Sequence, residues 1–251
     1  MARYFIDVAY MGAKYNGFQV QDTGLSIQGE IDKALSTLAR TTIQTTGSSR
    51  TDAGVHAKQN FLHFDFEGEL NPQLTYKMNA LLPRDIVVNN FFKVDDEAHS
   101  RFAATSRAYE YTLFTYKDPF FQDRGYYFPY KVDIDLLQAA ATILMQHTNF
   151  ETFSKRNTQV HTFNCTILHS YWEQNDQHLK YYVKGNRFLR GMVRGLVGTM
   201  LRVGRGRLTL EQFEEVILSR DCSNADFAVP PQGLCLMEVA YPADLVMEKV
   251  F

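Results

Sequence analysis

Alternating hydrophobic and polar residues at the start of the chain predict a β-strand over residues 3–10. The side chains that fall on one side of this strand are Tyr4, Ile6, Val8 and Tyr10. After Ser26 the spacing becomes helical, with apolar positions at Ile27, Ile31, Ala34, Leu35 and Leu38. Ser26 is a suitable N-cap, because its hydroxyl can accept a hydrogen bond from the first turn. The change of period therefore predicts a strand followed by a helix.

The remaining pattern predicts the same order of elements twice. In the first half we expect strands at about 42–47, 58–66 and 86–94, and a helix from Pro72 to Leu82 that ends before Pro83. The second half starts over with an aromatic-rich strand at 107–116. It continues with a helix over 133–147 begun by Asp133 or Asp135, strands at about 164–173 and 179–184, a helix at about 187–202, a helix with the capping box Thr209 and Gln212, and a strand at 234–241.

This order predicts an α+β protein made of two ferredoxin-like halves, each running β-α-β-β-α-β. We expect an N-terminal half over 1–104 and a C-terminal half over 105–251. The halves are expected to form a continuous mixed, mostly antiparallel sheet with helices on one face. The order alone assigns no function, because the arrangement hosts many functions, including RNA-binding sheets that stack bases on aromatic residues.

The distribution of charge is more informative than its sum, because the net charge is only −2. Between Gln177 and Leu210 there is no acidic residue. The basic residues of this run are Lys180, Lys184, Arg187, Arg190, Arg194, Arg202, Arg205 and Arg207. A local cationic surface would steer an anion to one face of the protein. The alternative is a solvated helix face, since such runs are common.

Composition excludes several classes of protein. The sequence has no run of about 18 apolar residues, so we expect no membrane span. Its first residues, MARYFIDVAY, lack the architecture of a signal peptide. The three cysteines, Cys165, Cys222 and Cys235, are odd in number and widely spaced, which disfavours a disulfide framework or a cysteine-based zinc site. We therefore expect a cytoplasmic protein.

A helical wheel of residues 187–203 separates arginine and glycine from the apolar residues. One stripe holds Arg187, Arg190, Arg194 and Arg202 together with Gly191, Gly195 and Gly198. We expect this stripe to face outward, with the arginines pairing with phosphate or carboxylate groups. Three glycines on one face indicate either close approach by another chain segment or a ligand, or tight packing of the helix on the sheet.

The segment Gly47–Ala57, GSSRTDAGVHA, places Arg50 and Asp52 two residues apart among small, turn-forming residues. Asp52 is, in the first interpretation, a turn residue bonded to its own backbone. In the second it joins His56 in a hydrolase triad, which the absence of a G-x-S-x-G sequence disfavours. In the third it is a carboxylate nucleophile or base, kept ionised by Arg50 or by an arginine of 187–202.

Metal and nucleotide sites are disfavoured. His56 and His63 have no third ligand near them in the sequence, and His56 is better read as structural. The sequence contains neither G-x-x-x-x-G-K-[ST] nor G-x-G-x-x-G, and VGRGR at 203–207 is too short and in the wrong context for phosphate binding.

SSRTDAGVHA closely resembles the signature of the tRNA pseudouridine synthase A family. Further segments resemble that family in the same order: FIDVAYMGAKYNGFQVQ, SIQGEIDKAL, MNALLPRDIVV, HSRFAATSRAYEYTL, NRFLRGMVRGLVGTMLRVG and PPQGLCLMEVAYP. Because the resemblance covers nearly the whole chain, it implies the pseudouridine synthase fold and the family's activity, in which uracil is detached from ribose and re-attached through carbon 5. It implies no metal and no organic cofactor.

The resemblance also implies roles for five residues. Asp52 corresponds to the nucleophilic aspartate, and Arg50 to the arginine that helps hold the flipped nucleotide. Tyr109 corresponds to the tyrosine that stacks on the target base, although composition alone would make it an ordinary strand aromatic. Arg194 corresponds to the arginine paired with the aspartate, and Leu234 to a residue lining the pocket. Where the family commonly has glycine before the arginine, this chain has Ser49, whose hydroxyl can bond the loop backbone.

The implied substrate is the anticodon stem-loop of tRNA, at uridines 38, 39 and 40, bound mainly through shape and backbone contacts. The implied assembly is a homodimer, whose cleft would gather basic groups from two subunits. Two alternatives stay open: a paralogue that modifies a different RNA site, and a non-catalytic RNA-binding protein of the same fold. Intact SRTDAG with Tyr109 and Arg194 disfavours the second, because a binder has little use for a carboxylate facing phosphates.

Overall fold

The structure, a computed structural model, describes residues 1–156, 160–175 and 177–251. Within these ranges the elements up to residue 94 are β1 (Ala2–Tyr10), α1 (Ile27–Ala39), β2 (Thr46–Gly47), β3 (His56–Phe66), α2 (Leu74–Leu81) and β4 (Ile86–Val94). Those that follow are β5 (Ser106–Phe114), β6 (Tyr126–Tyr127), α3 (Ile134–Leu144), β7 (Ile167–Gln174), β8 (His178–Gly185), α4 (Met192–Gly204), α5 (Leu210–Leu218), β9 (Leu234–Ala240) and β10 (Glu248–Lys249).

The chain folds into two compact units. The first contains Met1–Thr105 together with Leu236–Phe251, and the second contains Ser106–Cys235. The units differ from the predicted halves 1–104 and 105–251 in their last segment, because residues 236–251 pack with the first unit. β10 explains part of this arrangement: its residues pair antiparallel with Lys93 and Phe92 of β4.

In the first unit β1 is the central strand, antiparallel to both β3 and β4. β2 and residues 236–240 of β9 both lie along the edge of β3 that faces away from β1, and α2 packs against β4. Tyr4, Ile6 and Val8 are buried as the alternation predicts, but Phe5 and Asp7 between them are buried as well. A central strand covered on both faces loses the one-sided exposure that period-two patterning assumes.

In the second unit β8 lies antiparallel between β5 and β7, and β6 pairs parallel with β5. α3 packs on β7 and contacts α4 and α5. The buried side of this sheet carries large aromatic residues, including Tyr111, Trp172 and Tyr181. The predicted α+β class is confirmed, and no helix of the described ranges is long and apolar enough to cross a bilayer.

Three predicted helix starts are confirmed by cap geometry. The Ser26 hydroxyl accepts a hydrogen bond from Gly29 N, and Thr209 and Gln212 form the reciprocal capping box of α5. Of the two candidates for α3, Asp133 is the N-cap, because its carboxylate accepts from the backbone N–H groups of Asp135 and Leu136.

The predicted strand at 42–47 is wrong for most of its length, since β2 covers only Thr46–Gly47. For the residues just before β2, polar side chains of α1 bind the backbone in place of a neighbouring strand. The Ser36 hydroxyl accepts from Ile43 N at 2.9 Å, and Asp32 accepts from the backbone and hydroxyl of Thr45 at 3.1 and 2.6 Å. Side chains from a neighbouring helix thus satisfy backbone groups that a ladder would otherwise use.

Two predicted helices begin later than expected. α2 begins at Leu74 rather than Pro72, because a turn in which Leu74 N donates to Asn71 O precedes it. α4 begins at Met192 rather than 187, because Gly191 has φ +75°, in the left-handed region where a right-handed helix cannot continue. Arg187 and Arg190 therefore precede the helix and do not share its face with Arg194.

Candidate active site

The loop that carries Asp52 is held at both ends by the sheet of the first unit. Thr46 and Gly47 of β2 pair with His63 and Leu62 of β3. Within the loop, Val55 N donates to the carbonyl of Asp52 at 3.1 Å, and Gly54 has φ +80°. A positive φ at the third position of such a turn favours glycine. Asp52 is therefore the first residue of a tight turn and is half-buried, while Arg50 is exposed.

Contacts from distant residues fix the residue just before Asp52. Phe18 N donates to the carbonyl of Thr51 at 3.0 Å, and the hydroxyls of Thr51 and Tyr10 lie 2.8 Å apart. Asn60 of β3 donates to the Tyr10 oxygen at 3.2 Å, so the tyrosine hydroxyl contacts both Thr51 and β3. Thr51 is buried and is bonded through both its backbone and its side chain. These contacts hold the backbone next to Asp52 in one place.

Asn60, buried on β3, also holds the first half of the loop. Its amide nitrogen donates to the Ser49 carbonyl at 3.0 Å, and its oxygen accepts from the Ser48 hydroxyl at 2.8 Å. The Ser49 hydroxyl could bond the loop backbone, but in the structure this buried oxygen has no hydrogen-bond partner within the described ranges. Asn60 of β3 therefore holds the loop through Ser48 Oγ and the Ser49 carbonyl, and the Ser49 hydroxyl takes no part.

Gly12 lies directly against the far side of this turn. Its N–H donates to His56 Nδ1 at 2.9 Å, which gives the buried His56 a structural role as the sequence suggested. A side-chain carbon at position 12 would overlap the carbonyl oxygen of Val55, a backbone atom with little freedom to move. Close approach of two backbone segments, and not a positive φ, is the reason for glycine here.

Gly12→Ala is therefore expected to lower the free energy of unfolding by about 2 kcal/mol, the cost typical of overpacking. Urea unfolding of the purified protein measures the change through the transition midpoint. Ala13→Ser, at the exposed neighbouring residue, is the matched control and should change stability by less than about 0.5 kcal/mol. Equal midpoints for the two variants would show that the Val55 turn can move aside.

His63, the second histidine considered as a metal ligand, is buried beside Ser100. Its Nδ1 lies 2.8 Å from the Ser100 hydroxyl, and burial lowers the pKa of His63 to about 4. Among the residues that the structure describes, no three His, Cys, Asp or Glu side chains are grouped to bind a metal ion. His63 thus has a hydrogen-bonding role within the first unit.

In the second unit, Arg194 on α4 binds backbone carbonyls of a distant segment. Its Nε donates to Val229 O at 2.9 Å and its Nη2 to Phe227 O at 3.3 Å. The glycines beside it do not face outward as expected: Gly195 and Gly198 are buried. A side-chain carbon at Gly195 would approach the Phe227 ring to 2.8 Å, and one at Gly198 would overlap Asp226 O. Of the two interpretations, close approach by another chain segment is confirmed.

Two side chains of the basic run contact other side chains within the second unit. Lys180 forms an ion pair with Glu110 at 3.1 Å, across neighbouring strands. The Arg205 guanidinium lies 3.9 Å from the centre of the Tyr130 ring, a cation–π contact. Arg190 and Arg207 are exposed, and Arg187 is half-buried. The cationic surface is therefore carried by part of the run.

Tyr109 lies on β5 opposite Val183 of β8 and is half-buried. Its ring packs edge to face against Phe188, with centroids 5.1 Å apart. Sequence reasoning missed Phe188, because the residue was assigned to a helix and its aromatic character was the only signal. Leu234 is buried at the start of β9, directly after a 3-10 turn at Pro231–Gly233.

The five predicted site residues are divided between the units: Arg50 and Asp52 lie in the first, and Tyr109, Arg194 and Leu234 in the second. Within the first unit the structure holds Arg50 and Asp52 on one braced loop. Within the second it places Tyr109, Arg194 and Leu234 on β5, α4 and β9. A carboxylate on a tight turn of defined backbone geometry can serve as a nucleophile or a proton acceptor.

Comparison with known proteins adds two findings. Residues 140–242 match the family model described as tRNA pseudouridine synthase. Over 247 residues, 98% of each chain, the sequence is 43% identical to tRNA pseudouridine synthase A of Parabacteroides distasonis. It is 41% identical to the protein of the same name from Bacteroides fragilis over 97% of this chain and 98% of the relative. It is 33% identical to tRNA pseudouridine synthase A of Staphylococcus aureus N315, over 94% of this chain and 90% of the relative.

Proposed function

This chain belongs to the tRNA pseudouridine synthase A family, and from that membership we propose that it isomerises uridines 38, 39 and 40 in the anticodon stem-loop of tRNA to pseudouridine. The observation that carries the proposal is the SRTDAG loop, which holds Asp52 on a braced turn at the end of β2. We propose Asp52 as the nucleophile, because it is the carboxylate within the family signature and it lies on the loop that the surrounding contacts hold in place.

The proposed reaction rearranges bonds within one nucleotide. The bond between N1 of uracil and C1′ of ribose breaks, the base turns, and a bond forms between C5 and C1′. The proton on C5 is released and N1 gains one, so the product is an isomer and no oxidant or reductant takes part. Asp52 can form a transient bond to the sugar or to the base, or accept the C5 proton.

The bracing of the loop supports this role. A nucleophile is effective when its geometry is set before substrate arrives, because little ordering is then required in the reaction. Thr51 is bonded to Phe18 and Tyr10, and the Asp52 carbonyl to Val55 N. The backbone on both sides of the carboxylate is therefore held by groups other than the carboxylate itself.

We propose that three further residues support the flipped nucleotide. A uridine in a stem must leave the base stack at a cost of a few kcal/mol. Stacking on Tyr109 would recover about 1–3 kcal/mol of it, with the ring held by its contact with Phe188. Exposed Arg50 would help hold the flipped nucleotide, and buried Leu234 would line the pocket.

We propose that Arg194 pairs with the carboxylate of Asp52. Arginine has five N–H donors in a planar fork, and two of them donate to Val229 O and Phe227 O. These bonds fix the direction of the guanidinium and leave other donors for a carboxylate. We further propose that the protein acts in the cytoplasm as a homodimer, since a second subunit would add basic groups to a chain whose net charge is −2.

Pseudouridine mapping in tRNA tests the proposed reaction and its site together. Cells lacking the gene are expected to lose pseudouridine at positions 38, 39 and 40, and the wild-type gene should restore it. Purified protein should modify a transcribed tRNA at those positions and at none when each uridine is replaced by cytidine. Modification at other positions would indicate the paralogue with a different RNA site. Binding of tRNA without modification by the wild-type protein would indicate the RNA-binding alternative.

A further inference from the structure

Residues 226–233, here called the strap, connect a surface turn after α5 to the first residue of β9. Over 226–230 the strap has neither helix nor strand, and a 3-10 turn covers Pro231–Gly233. Leu234 follows immediately. Without a regular backbone ladder, the position of the strap depends on side chains that bind its backbone groups.

α4 provides the first set of these contacts. The Thr199 hydroxyl accepts a hydrogen bond from Asp226 N at 3.0 Å, while donating to the carbonyl of Gly195 at 2.8 Å. Gly198 lets the Asp226 carbonyl rest on the helix, and Gly195 does the same for the Phe227 ring. Thr199 is fully buried, so this contact is shielded from water.

Tyr111 of β5 provides the second contact, near the other end of the strap. Its hydroxyl donates to the carbonyl of Pro230 at 2.7 Å, and its ring lies against Gly233, where a side chain would overlap it. Tyr111 is fully buried by the strap and the sheet. Tyr111 therefore holds the backbone just before Leu234 at two points, the Pro230 carbonyl and Gly233.

We propose that Tyr111 and Thr199 are positioning residues for the reaction: they hold the strap so that Leu234 and the Arg194 guanidinium keep their places at the reacting nucleotide. This inference rests on the proposed function, in which Leu234 lines the pocket and Arg194 faces the nucleophile. Arg194 binds the strap between the two contacts, so displacement at either end moves its hydrogen-bond partners. Displacements of about 1 Å are enough to slow a positioned reaction markedly.

Tyr111→Phe removes the bond to Pro230 and leaves the ring in place, and Thr199→Val removes the hydroxyl without changing the branching of the side chain. We expect each variant to lower the single-turnover rate of pseudouridine formation about tenfold, with the Kd for tRNA within about twofold of wild type. Thr199→Ser keeps the hydroxyl and should restore the rate to within about twofold.

Tyr181→Phe is the matched control, because Tyr181 is equally buried on the adjacent strand and its hydroxyl is 2.8 Å from Ser170. It should lower Tm as much as Tyr111→Phe while leaving the single-turnover rate within about twofold. If Tyr181→Phe does not fold, Ser170→Ala removes the same hydrogen bond. Equal rates for Tyr111→Phe and the control, or no rescue by Thr199→Ser, would overturn the inference.

Amide hydrogen exchange separates this inference from the proposed function. The amides of a peptide covering 226–233 should exchange about tenfold faster in Tyr111→Phe and in Thr199→Val than in wild type. In Tyr181→Phe their exchange rate should equal that of wild type. If the wild-type protein forms no pseudouridine but the strap loosens as expected, the proposed function fails and the positioning of the strap stands. Unchanged exchange in both variants overturns the positioning role itself.

Discussion

Replacing Asp52 by asparagine or alanine is expected to reduce pseudouridine formation by a factor on the order of 10⁴ or more, the loss seen when a nucleophile is removed. Asparagine has nearly the same shape but is a far weaker nucleophile and base, so the two variants should fail alike. The turn should survive both changes, because the bond from Val55 N goes to the Asp52 backbone carbonyl. Release of tritium from tRNA labelled at C5 of uridine measures the rate.

Affinity for tRNA should change by less than about threefold in these variants, since removal of a negative charge does not weaken phosphate contacts. Asp22→Asn, at an exposed aspartate of the same unit, is the matched control and should retain wild-type activity. Normal tritium release by either Asp52 variant would refute the assignment of the nucleophile while leaving family membership intact.

Arg194→Ala should give the second largest effect, a fall in the single-turnover rate on the order of 10²-fold, the cost of removing one preorganised electrostatic partner. Two losses combine in this variant: the cation proposed to face Asp52, and the fork that donates to Phe227 O and Val229 O. Arg194→Lys retains the charge but cannot form the fork, so an intermediate loss of about tenfold is expected.

Arg207→Ala is the contrasting control, because Arg207 is an exposed member of the same basic run. A residue that contacts only phosphate should alter affinity and its salt dependence, and leave the rate at saturating tRNA unchanged. Quench-flow under single-turnover conditions, with Kd from filter binding, distinguishes the two behaviours. An increase in Kd for Arg194→Ala at an unchanged saturated rate would contradict its proposed pairing with the nucleophile.

Helix caps and regular strands were predictable because their signals are local. Ser26, Asp133 and Thr209 bind backbone groups two or three residues away, and the structure has each as an N-cap. β4 was predicted over 86–94 and occupies Ile86–Val94. The start of α4 was predicted wrongly, because the apolar repeat runs on through Gly191 and periodicity alone does not register the left-handed φ at that residue.

The environment of the glycines on α4 lay beyond local reasoning. A wheel distinguishes apolar from polar faces, and glycine has no side chain to assign to either. Gly195 and Gly198 are buried because the strap, about thirty residues further along the chain, crosses the helix there. Similarly, Asn60 braces the loop of Asp52 although no spacing between residues 48 and 60 suggests a contact.

By itself, the sequence determined the α+β class, the helix caps, the family and the loop with its arginine and aspartate, because each depends on residue types at short, fixed spacing. Only the tertiary structure decided which groups hold that loop, where α4 begins, and what its glycines and Arg194 contact. Those contacts join residues that are between about ten and fifty positions apart in the chain. Many of their partners are backbone carbonyls and amides, which every residue carries, and these contacts therefore leave no pattern in the sequence.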